Sequence, residues 1–310
     1  MARKRRPAGE TTGVWYPRWY WPGLSAPGAA WLLLLFLAPL YVVLAISFGT
    51  VDPLFQEPVP VWNPLRWNSA AFIDIAHKLF GANAFLLPAF ERTLIYVAAA
   101  TVICLAVGYP VAYFVARYGG RQKGLLLVLL IAPFWVSYMM RMLAWVNLLG
   151  GQGWVNQTLQ MLQVFNHPVN WLNGNPVTVV LGLVYGYIPY MILPLFAGLD
   201  RIDPALLEVA RDLGAGRART FLRVTLPMSK QAILAGMVIV TLPMFGDYFT
   251  NDLLSGSPST SMIGNLIDDS VLTPGQATEA AALVVILTAL LVAPMLYYLR
   301  STSKALEEQL

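Results

Sequence analysis

The sequence predicts an all-α polytopic membrane protein with six transmembrane helices. Mean hydropathy is +0.61, and only 12% of the residues are charged, whereas soluble domains carry about 25%. The apolar residues gather in runs of about 20, the length that crosses a hydrocarbon core of roughly 30 Å. The basic residues also sort by membrane side. With the N-terminus in the cytoplasm, 16 of the 20 Lys and Arg fall in cytoplasmic segments, and only Arg66, Lys78 and Arg92 lie outside. The remaining one, Arg141, lies within a span. Such a bias is the positive-inside rule, and it places both termini in the cytoplasm.

Residues 1–27 form a cytoplasmic tail, first basic (MARKRR) and then aromatic (VWYPRWYWPGLSAPG); Trp and Tyr of this kind favour the headgroup layer. The apolar run that follows is too long for a secretory signal and lacks a small-x-small cleavage site, so it reads as an uncleaved first span, 28–48. In the long outside loop 49–91, AAFIDIAHKLF puts Ala71, Phe72, Ile75 and Leu79 at helical spacing, which predicts a helix lying on the surface. Further spans are expected at 93–116, 124–149, 176–199, 231–250 and 280–299. HPVNWLNGNPV, ahead of the fourth span, is dense in turn formers. Pro133, Pro189, Pro194, Pro243 and Pro294 fall inside spans, where a missing backbone hydrogen bond is tolerated if neighbouring helices or water compensate. Residues 28–300 thus read as one membrane domain, followed by a cytoplasmic tail, 301–310.

Several functions are disfavoured. The net charge of +4 is accounted for by topology and does not point to nucleic acid. Cys104, the single cysteine, sits mid-span in a packing role. His77 and His167 lie in separate outside loops with no ligand cluster near them, so no metal site is expected. Phosphate-cradling and hydrolase motifs are absent from the sequence. No catalytic apparatus is visible, and the chain reads as a non-enzyme without a cofactor of its own.

Between the fourth and fifth spans stands EVARDLGAGRARTFLRVTLP, residues 208–227. It follows Asp203-Pro204, an N-cap acceptor and a proline suited to the first helical position. Leu206, Leu207, Val209, Ala210 and Leu213 then form an apolar face, and Gly214 suits a left-handed stop. A second short helix is expected from Arg217 to Leu226, ending before Pro227. The result is a helix–glycine–helix elbow, 203–227, with apolar knobs and a basic rim. Positive-inside topology explains its arginines but not its caps or its exposed apolar face.

The elbow resembles the coupling loop of permease subunits of bacterial ABC importers, whose pattern is E-A-A-x-x-x-G-x9-I-x-L-P. Glu208, Ala210, Gly214, Leu226 and Pro227 stand at the required spacings, with Val209 in place of an alanine and Val224 in place of the isoleucine. TLIYVAAATVICLAVGYPVAYFVAR, APFWVSYMMRMLAWVNLLGGQGWVN, LVYGYIPYMILPLFAGLDRID and LPMFGDYFTNDLLSG are similar to segments of spermidine/putrescine permeases, over roughly residues 90–300. Permeases for thiamine, ferric ion, phosphonates and oxyanions share much of this scaffold. The resemblance implies a type I importer permease fold in a bacterial inner membrane. It also implies three partners: a second permease, a pair of ATPase subunits that hold the ATP and Mg, and an external binding protein.

Two ionisable residues fall within spans, Arg141 and Asp247, with Trp135, Tyr138, Trp145, Phe245, Tyr248 and Phe249 near them in sequence. Buried charges in membranes usually face a partner or a watery path. Two readings follow. Asp247, Arg141, Trp135, Tyr138 and Tyr248 line a substrate path, or Arg141 and Asp247 pair and only fix packing. Asp252, Asp268, Asp269 and Glu279 make the third outside loop acidic, which suits a cation and equally obeys topology. A membrane-embedded enzyme would need more titratable groups at one face, and a secondary carrier would need no ATPase dock.

Overall fold

The computed structural model describes residues 19–81 and 84–307, with side chains as far as Ser301. The basic residues of the N-terminal tail, Arg3 to Arg18, lie outside the described residues, as do positions 308–310. The chain opens with α1 (Tyr20–Ser47), a short hairpin of β1 (Thr50–Val51) and β2 (Pro58–Val59), and α2 (Ala70–Phe80). Thr50 pairs with Val59 and Val51 with Pro58, antiparallel. There follow α3 (Leu87–Tyr118), α4 (Lys123–Ile131), α5 (Tyr138–Leu149), α6 (Trp154–Met161) and α7 (Pro176–Asp200). The elbow comprises α8 (Pro204–Asp212), α9 (Arg217–Thr220) and α10 (Leu226–Met228); α11 (Lys230–Phe245), α12 (Phe249–Leu254), α13 (Ile263–Leu272) and α14 (Ala277–Glu307) complete the chain.

Four helices, α1, α3, α7 and α14, are long and apolar enough to cross a membrane singly, and with each of two bent pairs taken as one span the number reaches six among the described residues. α3, α7 and α11 pack against one another at the centre. The reason is legible in α3: Ala89, Thr93, Val97, Ala100, Cys104, Gly108, Ala112 and Ala116 recur every three or four residues and are all buried. Small residues at that spacing let helix backbones approach closely in lipid. Cys104 is fully buried in this seam. Polar ties cross it, with Tyr109 hydroxyl 2.9 Å from Ser229 and Thr101 3.1 Å from Thr241. α1 stays largely exposed and leans on α14.

Several elements differ from the expectation. α1 begins at Tyr20 rather than 28, because Pro22 lies in its first turn, where proline removes no helical hydrogen bond. α14 runs on to Glu307, through most of the expected tail. The surface helix α2 is more deeply seated than its spacing suggests. Ile75 is fully buried, and Lys78 bridges Asp74 at 2.8 Å and Glu279 of α14 at 2.6 Å. Burial works against the Lys78 charge, but those two carboxylates more than offset it and hold its pKa above the usual lysine value.

The third expected span is broken: α4 gives way to a 3-10 turn at Ala132–Trp135, and the arm holding α5 and α6 leaves at 81°. Pro133 causes the break, since it lacks an N–H to donate and restricts the residue before it. The fifth span, expected over 231–250, ends its α-helix at Phe245, just beyond Pro243 and before Gly246. In the elbow the second helix does not stop before Pro227. It passes through a π-helical turn, Phe221–Thr225, into α10, where Pro227 takes a first-turn position, and α11 leaves at 61°.

Candidate functional site: a polar cavity at two helix breaks

The two breaks meet. A cavity of about 480 Å³ lies between the bend after α4, the middle of α7 and the Gly246–Tyr248 break, and its lining includes Trp135, Tyr138, Arg141, Asp247 and Tyr248. All five residues singled out by sequence therefore share one cavity. Trp135 stands at the rim, 77% exposed. Tyr248 is half-buried and stacks on Phe249, with ring centres 4.2 Å apart.

Asp247 is not inside a helix but follows the end of α11, and it is buried. Its Oδ2 accepts from the hydroxyls of Tyr138 (2.9 Å), Tyr187 (3.0 Å) and Thr250 (2.8 Å), and its Oδ1 accepts from the Thr250 N–H at 2.9 Å. Through the Thr250 contacts Asp247, which stands just ahead of α12, satisfies an amide in the first turn of that helix. Four donors offset the water the carboxylate has lost, each hydrogen bond to a charged group contributing about 1.5–3 kcal/mol.

Arg141, on α5, is held differently. Its Nε donates to the Val136 carbonyl at 3.2 Å, and its guanidinium carbon lies 4.6 Å from the ring centre of Phe134, 5.4 Å from that of Tyr138 and 5.7 Å from that of Tyr185. Its Nη1 is buried with no acceptor. Arg141 and Asp247 do not form an ion pair with each other, unlike Lys78 with Asp74 and Glu279 or Lys123 with Asp200. Tyr138 stands between them, its ring toward the cation and its hydroxyl on the anion.

Sequence reasoning missed Phe134, Gly186, Tyr187, Tyr190 and Thr250, which also line or support this cavity. Two signals were available. YGYIPY places Gly186, Tyr187 and Tyr190 on one helical face, and D-x-x-T at 247–250 has the spacing of a helix-start cap. Gly186 is required by close approach: a Cβ there would lie 2.6 Å from the Tyr138 ring.

The elbow lies at one end of the bundle. The Asp203 side chain caps α8 by accepting from the Ala205 N–H at 2.9 Å, and Gly214 takes a φ of +83° with open space around it. Leu207 is buried, whereas Leu206, Val209, Leu213 and Leu222 are exposed. Glu208 and Pro227 are also exposed, and Ala210 and Leu226 are half-buried. The apolar knobs therefore stand free of the rest of the chain. Lys123 ties the foot of α4 to Asp200 of α7 at 2.5 Å, and Arg117 of α3 donates to the Ile202 carbonyl at 3.0 Å. These links fasten the end of α7, just ahead of the elbow, to α3 and α4.

Up to six spans, a helical elbow and a polar cavity where two helices break are the features of a membrane transport subunit. Residues 108–303 match the family model for the binding-protein-dependent transport system inner membrane component, and the chain belongs to that family. It is therefore a multi-pass inner membrane protein. It is 32% identical over 276 residues to the spermidine/putrescine transport system permease protein PotB of Escherichia coli, covering 88% of this chain and 94% of that one. Against the PotB of Haemophilus influenzae the identity is 32% over 284 residues, 88% and 90% of the two chains. The inner membrane ABC transporter permease protein YdcU of Escherichia coli is 29% identical over 275 residues, 85% of each chain. A chain of a bacterial ABC transporter for the acidic polysaccharide alginate superposes with a TM-score of 0.69 at 18% identity, over 92% of this chain and 96% of that one. That likeness concerns the fold.

Proposed function

We propose that this chain forms the translocation path of an ATP-driven importer of polyamines, spermidine or putrescine. The observation that carries the reading is the cavity at the two helix breaks, where a buried carboxylate is surrounded by aromatic rings. A carboxylate attracts an ammonium group, and ring faces add about 0.5–2 kcal/mol for each cation–π contact. Broken helices at mid-membrane are a common setting for substrate sites in membrane transporters. The PotB relatives, spermidine/putrescine permeases by name, support the same substrate class.

The elbow is the dock for an ATPase subunit, with Leu206, Val209, Leu213 and Leu222 as its apolar knobs and Glu208 on the rim. ATP and Mg are bound by that partner, and this chain performs no chemistry of its own. A second permease completes the path, an external binding protein delivers the solute, and both termini face the cytoplasm.

The test is uptake by the complex purified through this chain and reconstituted in proteoliposomes. Labelled spermidine should accumulate only with ATP, and unlabelled putrescine should compete while thiamine and sulfate do not. Competition by thiamine or sulfate would replace the polyamine reading with that solute.

A further inference from the structure

The two charged groups of the cavity are anchored in opposite ways. Asp247 has four donors on its carboxylate, from three different side chains and one backbone amide. Arg141 is only 9% exposed, yet its Nε donates to the Val136 carbonyl while its Nη1 is buried without an acceptor. What surrounds its charge is aromatic: Phe134, Tyr138 and Tyr185 at 4.6, 5.4 and 5.7 Å. Three rings at such distances make a cation cage, and nothing in it selects a guanidinium over an alkylammonium.

We propose that Phe134, Tyr138 and Tyr185 form an ammonium subsite for the transported solute, which Arg141 occupies from within the chain while the solute is absent. This inference rests on the polyamine reading. A polyamine carries several ammonium groups on a flexible chain; Phe134 and Tyr138 line the cavity, Tyr185 backs the guanidinium from outside that lining, and Tyr138 also holds Asp247. One ammonium goes to Asp247 and a second to the cage. Two cations cannot share the cage, because like charges a few ångströms apart repel strongly in a partly buried site. Arg141 must therefore withdraw as the solute binds. Its incomplete hydrogen bonding makes it the movable group, and the fully bonded Asp247 the fixed one.

The test uses the intact complex in nanodiscs without solute, with guanidinium chloride at millimolar concentration as the probe and sodium chloride as the ionic-strength control. Arg141→Met keeps the packing of the stem and removes the charge. Its thermal midpoint should rise saturably with guanidinium while the unsubstituted complex shows no such response. Adding Tyr185→Leu, on the side of the cage away from Asp247, should abolish the gain. Spermidine should bind Arg141→Met about tenfold more tightly, the weight of one desolvated cation–π hold released from competition. Should that variant fail to assemble, Arg141→Lys replaces the planar group with an ammonium that guanidinium should displace at higher concentration. Equal responses with and without the substitution, or none in either variant, overturn the proposal. Guanidinium binding without spermidine binding would leave the cage standing and remove the polyamine reading. Normal spermidine uptake with a guanidinium-insensitive Arg141→Met would remove the cage alone.

Discussion

At the scale of residues, the cavity sets a fixed carboxylate beside a loosely held cation. Each tyrosine on Asp247 donates a hydrogen bond to a charged group, so Tyr187→Phe should lower the stability of the assembled subunit by about 1.5–3 kcal/mol. Tyr190→Phe, at an exposed neighbour on the same cavity, should change it little. Thermal denaturation of the two variants checks the difference, and equal effects would deny the bond its weight. A second expectation concerns charge pairing. Were Arg141 and Asp247 partners, removing both charges would rescue what removing one destroys, as breaking one side of a buried pair is costly. Because Tyr138 separates them, Arg141→Gln should not restore stability to Asp247→Asn. The detergent stability of the double variant beside that of the two single ones decides it. The two charges were visible in the sequence because ionisable residues are rare in apolar runs. Their failure to pair was not, since it depends on how the bend at Pro133 and the break at Gly246 aim two side chains.

At the scale of elements, the cavity and the elbow each depend on one glycine. Gly214 takes a φ of +83° with open space around it, so what a substitution there meets is backbone strain, about 1–2 kcal/mol for a residue with a Cβ and more for a branched one. Gly214→Val should leave membrane insertion intact and lower transport-linked ATPase activity. Wild-type coupling in that variant would contradict the docking role of the elbow. Gly186 acts through space instead. Its Cβ would press on the Tyr138 ring, so Gly186→Val should push Tyr138 off Asp247 and reduce uptake with ATP hydrolysis retained. Uptake equal to wild type would show that the Tyr138 contact is dispensable. The caps and the glycine of the elbow were legible because Asp-Pro and Gly act locally. The continuation through Pro227 was not, because a proline reads as a stop or as a first-turn residue depending on whether a new turn begins there. The breaks in the third and fifth runs were hidden for a related reason: hydropathy records apolarity, and Pro133 interrupts the helix without interrupting the apolar run.

At the scale of the whole molecule, α7 and α11, packed with α3 at the centre, carry the cavity, and the Lys123–Asp200 and Arg117–Ile202 links fasten the end of α7 that leads into the elbow. α11 leaves the elbow at 61° and ends beside Asp247, so a single helix joins the elbow to the Gly246 break. Glu208→Lys, at the exposed rim of the elbow, should weaken the docking of a partner by reversing one interfacial charge, leaving spans and cavity unchanged. Solute-stimulated ATPase activity equal to wild type would make Glu208 a solvated bystander. The span count and the elbow followed from run length and local turn chemistry. The meeting of two distant helix breaks in one cavity is a product of tertiary packing and no local pattern announces it. The most direct test of the account is spermidine uptake by Asp247→Asn in the reconstituted complex, measured beside ATP hydrolysis and assembly. The account predicts an assembled complex that hydrolyses ATP but takes up spermidine at least about tenfold more slowly, the loss of a single charged contact in a partly buried site. Uptake at the wild-type rate would contradict it.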